Sequence, residues 1–268
     1  MFGLFNKNKN SSCPIDEETR QWIDRCFLWL MNSFGKENII KRKVLTPHYN
    51  DFPIKYTGQP QTAFETLKIV ASQMEINFDE IHLDIYSEGI TEIDTGGFFG
   101  NRLFMKNDEQ EKYSGGLYWG KHEDNKYHIG LEEKKLKEPQ KIVATLSHEL
   151  AHIKLLGENK LEKNNEHLTD LTTIIFGLGI FNANAAFQTT QGYDSWGWSK
   201  SGYLSQMEWG YALALFNYIR EDENPEWINF LTTNVKSDLK QSLKFMKANK
   251  DKILSPKNNS ERSEKSSS

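Results

Sequence analysis

The chain has only 7 histidines, and two of them stand four apart in His148-Glu149-Leu150-Ala151-His152. This is the H-E-x-x-H pattern, whose chemistry depends on the helix that carries it. Apolar residues at Ile142, Val143, Leu146, Leu150, Ile153 and Leu156 keep helical spacing throughout. On such a helix the imidazoles of His148 and His152 share one face, one turn apart. Two neutral imidazoles so placed can hold a zinc ion at about 2.0–2.1 Å. Glu149 points about 100° round the helix from His148. Its carboxylate therefore reaches a water beside the metal rather than the metal. The expected chemistry is attack of that water on a carbonyl, with Glu149 as general base.

A catalytic zinc wants three protein ligands and an open position. The next segment, Asn164-Asn165-Glu166-His167-Leu168-Thr169-Asp170, opens a second predicted helix on which Glu166 and Asp170 lie one turn apart on one face. Glu166 is the better third ligand. Asp170 then fits as the acceptor for the free N–H of a ligating histidine. His167, beside Glu166, competes for the ligand role. Gly157 marks the end of the first helix, and residues 157–165 are long enough to turn the chain back.

These residues resemble the gluzincin zinc metallopeptidases, in particular those where H-E-x-x-H is followed by E-x-x-x-D, as in the CAAX-prenyl and heat-shock protease family. The soluble repressor-cleaving metallopeptidases are similar. The resemblance covers about residues 115–180. It implies metal ligands His148, His152 and Glu166, Glu149 as the base, Asp170 in support, and a zincin-like fold. The prenyl-protease relatives are membrane-embedded. Here no stretch of about 18–20 apolar residues occurs, so their substrates do not carry over.

The rest of the chain has to position these groups. Residues 16–34 predict a helix with the apolar stripe Trp22, Ile23, Cys26, Phe27, Leu30, Met31 and Phe34, capped by Asp16 and ended by Gly35. Residues 39–45 read as a strand. Residues 60–75 predict a helix with Pro60 in its first turn. Strict alternation over Ile81–Tyr86 predicts a strand with His82, Asp84 and Tyr86 outward, which argues against His82 as a metal ligand. Residues 88–113 read as a surface excursion. Residues 114–120 and 126–131 read as a β-hairpin leading into the H-E-x-x-H helix. A strand just before that helix would border the cleft, and an extended substrate could pair with its edge. Gly115, Gly116 and Gly120 would allow close backbone approach. Residues 182–202, with Trp196 and Trp198, read as a loop near the cleft. Residues 204–219 and 225–246 predict two further helices.

No histidine follows His167, so an oxyanion donor must be Tyr193, Tyr203, Tyr211 or Arg220. Tyr203, just after Gly202, is the choice.

The composition is 37% hydrophobic and 26% charged with net charge −4, ordinary for a soluble globular protein and without the basic footprint of a nucleic-acid binder. Two cysteines, Cys13 and Cys26, are too few for a disulfide framework, so a reduced cytoplasmic setting is expected. The apolar head Met1–Phe5 precedes its lysines, the reverse of a secretory signal. The expectation is a single α+β, zincin-like domain over residues 15–248, with a small mixed sheet and a largely helical remainder. Residues 1–14 and 249–268 are expected to be disordered. The expected activity is zinc-dependent hydrolysis of peptide bonds in a peptide or protein substrate, using Zn2+ with Glu149 and Tyr203 as catalytic groups. The competing expectation is a non-catalytic zinc-binding sensor or interaction module on the same fold. Zinc hydrolysis of a non-peptide amide is a third. Glu149 favours the enzyme, because a pure binding site has no need of a carboxylate beside the metal's water.

Overall fold

Alternating apolar residues in Ile81–Tyr86 form strand β1, and the hairpin of β2 (Gly116–Lys121) and β3 (Tyr127–Glu132) completes a three-stranded sheet in the order β1-β3-β2. β1 runs parallel to β3, with His82 opposite His128 and Leu83 opposite Ile129. β2 pairs antiparallel with β3, and its register shifts between Tyr118 and Gly120. Gly120 adopts φ +82° at that irregularity, a conformation suited to glycine. The computed structural model describes residues 12–87, 116–192, 195–200 and 202–255, with the backbone alone within 187–192 and 195–200. The expected excursion over 88–113 lies outside the described residues, as do Gly115 and Tyr193.

The residues expected to form one domain divide into two compact units. One comprises Arg42–Ser205 and Trp227–Leu231; the other comprises Met1–Lys41, Gln206–Glu226 and Thr232–Ser268. Besides the sheet, the first of these contains helices α3 (Pro60–Gln73), α4 (Pro139–His152), α5 (Glu166–Ile175) and α6 (Gly179–Ala186). Helix α4 packs against α3, α5, α6 and β2. Ile129, Leu131, Ile142, Leu146, Leu150, Leu171 and Leu178 are buried in its core. Immediately after His152 the helix widens into one π-type turn, Ile153–Gly157.

The other unit contains α1 (Glu17–Phe34), α2 (Lys36–Lys41), α7 (Gln206–Arg220) and α8 (Thr233–Ala248). Asp16 caps α1 by accepting a hydrogen bond from the Thr19 amide at 2.9 Å, as its side chain predicts. Gly35, at φ +83°, ends it.

Four expectations are corrected. Residues 39–45 are not a strand: Ile39 is buried on the short helix α2, and the chain beyond Lys41 is extended without a strand partner among the described residues. Residues 182–202 are not a loop. Asn182 lies within α6, and β4 (Phe187–Gly192) pairs antiparallel with β5 (Ser195–Lys200). Residues 225–246 are not one helix, because a 3-10 turn at Glu226–Phe230 is separated from α8 by Leu231 and Thr232. The disordered tail expected from Asn249 does not begin there, since Lys250–Lys252 form a 3-10 turn and Ile253 is buried, while residues 1–11 and 256–268 lie outside the described residues. The overall class is a mixed α+β fold, mostly helical with a small sheet. Among the described residues no helix is long and apolar enough to cross a membrane.

Candidate metal centre

Helical spacing places His148 and His152 on one side of α4, with ring centroids 5.0 Å apart. Helix α5 brings Glu166 to the same point. Glu166 is its first residue, and Asn165 caps it by accepting from the Leu168 amide at 3.1 Å. Oε2 of Glu166 lies 3.0 Å from Nε2 of His148 and 3.5 Å from Nε2 of His152. Ligand atoms of His148, His152 and Glu166 all fall within 4.8 Å of one another.

Each histidine is oriented from its other nitrogen. Nδ1–H of His148 donates to Oδ1 of Asp170 at 2.9 Å. Asp170 is itself fixed, because its Oδ2 accepts from the amides of Tyr203 at 2.9 Å and Leu204 at 3.3 Å. Nδ1 of His152 stands 3.5 Å from the Thr169 hydroxyl, which donates to the Asn165 carbonyl at 3.0 Å and so turns its lone pairs outward. Both imidazoles therefore present Nε2 to Glu166, the arrangement in which an outer partner sets the tautomer of a ligating histidine.

The charges agree with this geometry. Burial disfavours a charged His148, but hydrogen bonds to Asp170 and Glu166 overcome it and raise its pKa well above the ordinary imidazole value. Nε2 and Oε2 lie at hydrogen-bond distance, where a cation would compete with a proton for the same atoms. Burial, together with the charge on His148, lowers His152 to about 3. Burial opposes ionisation of Glu166 as well, yet the hydrogen bond to His148 and the charge of that imidazole hold its pKa below the usual value. A neutral imidazole, an exchangeable proton and an ionised carboxylate make a donor set that fits zinc.

Glu149 stands apart from this set. Its side chain is buried, and Oε1 has no hydrogen-bond partner among the described residues. Burial raises its pKa to about 7, the charge of Glu166 adds to the rise, and that of His148 opposes it. A β-carbon at position 116 would come within 2.6 Å of Oε1 and 2.5 Å of the Thr145 methyl. Gly116 is thus the close approach its residue type suggested, and it leaves room beside the carboxylate.

Tyr203 reaches the site: its ring stacks on that of His148 with centroids 6.0 Å apart. Burial raises its pKa, and the charges of Glu166, Asp170 and Glu149 raise it further, which keeps the hydroxyl a donor. The other oxyanion candidates among the described residues, Tyr211 and Arg220, are engaged elsewhere. The Tyr211 hydroxyl donates to Asp24 at 2.8 Å, and the Arg220 guanidinium donates to the Ile39 carbonyl at 2.9 Å, both within the helical unit. His167 is exposed and is not among the converging ligand atoms.

Sequence reasoning placed the cleft border on the strand just before the helix. That strand, β3, is central, and the bordering strand is β2, which lies at the sheet's edge among the described residues. Its Gly116 faces Glu149, and Tyr118 stacks on His152 at 5.5 Å. Two supports went unread. The alternate position of Tyr118 in the predicted hairpin held its signal. Asn182, taken as a loop marker, is buried; its amide donates to the Ala144 carbonyl at 2.9 Å, and its oxygen accepts from the Ser147 hydroxyl at 2.9 Å. That clamps α6 to α4 just ahead of His148.

Compared with known proteins, the chain matches no family model, no curated protein and no solved structure.

Proposed function

We propose that this protein is a zinc-dependent peptidase on a zincin-like scaffold, of the gluzincin type that its motifs resemble. The observation that carries the reading is Glu149: a buried carboxyl with one unpartnered oxygen, beside three converging ligand atoms that do not include it. An unsatisfied buried oxygen costs about 1–3 kcal/mol, and a water held beside the metal ligands would satisfy this one. A purely binding site gains nothing from that cost.

His148, His152 and Glu166 would hold the ion. When bound, zinc polarises the scissile carbonyl and acidifies a neighbouring water. Glu149 accepts the proton of the attacking water at Oε1 and delivers it to the leaving amine. Tyr203 donates a hydrogen bond to the oxyanion that develops on the carbonyl. Asp170 holds His148 in one orientation through Nδ1–H. An extended peptide is the substrate shape that suits a site bordered by the strand β2, whose Gly116 lies against the Glu149 carboxyl.

The test is Glu149→Gln, with a mixture of denatured-protein peptides as substrate and mass spectrometry as readout. The variant is expected to keep its zinc and lose about 10^2–10^4-fold in cleavage. A variant that cleaves the same peptides at the wild-type rate refutes the mechanism.

A further inference from the structure

On the opposite face of the same sheet lies a second convergence of ligand-type side chains. Tyr118, Ile129 and Gly116 share the face that meets α4, whereas His82 of β1 and His128 of β3 stand directly opposite each other on the other face. Their rings stack with centroids 4.4 Å apart. The turn between β2 and β3 brings His122, whose ring is 4.2 Å from that of His128, and Asp124. Oδ2 of Asp124 lies 2.9 Å from Nε2 of His128. Asp84, also on β1, lies 3.1 Å from Nε2 of His82 through Oδ1 and 3.4 Å from Nδ1 of His128 through Oδ2. Ligand atoms of His82, Asp124 and His128 fall within 4.8 Å of one another.

We infer that His82, Asp124 and His128 form a second metal site, for a divalent first-row transition ion such as zinc, nickel or copper. The arrangement repeats that of the first site. Asp84–His128–Asp124 has a carboxylate on each ring nitrogen of a buried histidine, as Asp170–His148–Glu166 does. One carboxylate orients the ring while the other meets the ion beside the second nitrogen. His128 is fully buried. Two aspartates meet the hydrogen-bonding needs of that one imidazole, and two further imidazoles pack against it. Three histidines of the chain's 7 gather here. An ion accounts for the crowding, because neutral imidazoles beside carboxylates are the donors these metals select over magnesium or calcium. The side chain of His82 is 45% exposed and that of Asp124 39%, so the ion has a path from solvent. Its ligands come from β1, β3 and the hairpin turn, so it would fasten the turn to the far edge strand.

The inference does not rest on the proposed catalysis and is tested apart from it. Full-length wild type and the double variant His148→Ala/His152→Ala are dialysed against micromolar zinc, each with and without His82→Ala. Bound zinc is counted by elemental analysis. His82→Ala is expected to remove one equivalent in both backgrounds, and the double variant alone is expected to retain one. His82 is half-exposed, so its loss leaves the core intact; Asp124→Asn, nearly isosteric, is expected to give the same loss with an unchanged circular dichroism spectrum. Zinc binding that neither His82→Ala nor Asp124→Asn reduces overturns the site, and so does a folded double variant that holds no zinc.

Discussion

Two buried polar clusters in this molecule obey different rules. In the helical unit, Arg20, Asp24 and Tyr211 form a closed set. Arg20 donates to Asp24 at 2.7 Å, to the Lys252 carbonyl at 3.0 Å and to Glu17. Asp24 accepts as well from Tyr211 at 2.8 Å and from the Leu254 amide at 3.1 Å. Both carboxylate oxygens of Asp24 are used, and the cluster pins the segment after α8 onto α1. The α4–α5 cluster has comparable burial but is left open. Its ligand atoms crowd one another across 3.0–3.5 Å, and Glu149 Oε1 is unpartnered among the described residues. A buried polar network that serves stability satisfies its members, since a half-satisfied one is worse than an apolar core. The proposed function gives that open carboxylate oxygen a use.

That contrast can be broken from either side. The largest effect belongs to the closed cluster: Asp24→Ala removes the buried carboxylate shared by Arg20, Tyr211 and the Leu254 amide and is expected to cost about 3–5 kcal/mol of stability, read by urea denaturation. A loss below about 1 kcal/mol would mean the network is not what fastens the two segments. In the open cluster, Tyr203→Phe is expected to lower kcat by about 10^2–10^3-fold with little change in KM; a rise in KM alone would reassign Tyr203 to substrate binding. Asp170→Asn removes the acceptor that orients His148 and is expected to weaken zinc binding about 10–100-fold, measured by competition with a chromogenic chelator. Unchanged affinity would make Asp170 a tie for the Tyr203 and Leu204 amides only. The smallest effect sharpens the comparison most. Glu149→Gln, the variant expected to lose the proposed activity, is expected to leave stability within about 0.5 kcal/mol of wild type or to raise it, as substitutions at strained functional positions often do. A loss as large as that of Asp24→Ala would place Glu149 among the structural groups.

How much of this was legible in the residues depended on how local the signal was. The helix of His148 and His152, the α5 cap at Asn165 and the β2–β3 hairpin are written in spacing and end residues over a dozen positions or fewer. The failures have physical causes of their own. Ile39, Ile40, Val44 and Leu45 look like a strand, but a strand needs a partner, and Ile39 is buried on a helix instead. Asn182 and Asn184 look like loop residues because amides favour turns, but Asn182 found two buried partners on α4. The alternation of β1 gave the outward direction of His82 correctly. It could not give the parallel register that sets His82 against His128, nor the turn that brings Asp124 to them. Outward from one face of a sheet proved to be inward to a second cluster.

The central claim is that zinc binds between α4 and α5 with Glu149 left free. Its most direct test is a crystal structure of the full chain grown with zinc, with data collected above and below the zinc absorption edge. The account expects an anomalous peak bounded by Nε2 of His148, Nε2 of His152 and a carboxylate oxygen of Glu166, with Glu149 outside the coordination shell. No peak at that position in zinc-saturated crystals, or a peak ligated by Glu149, would contradict it.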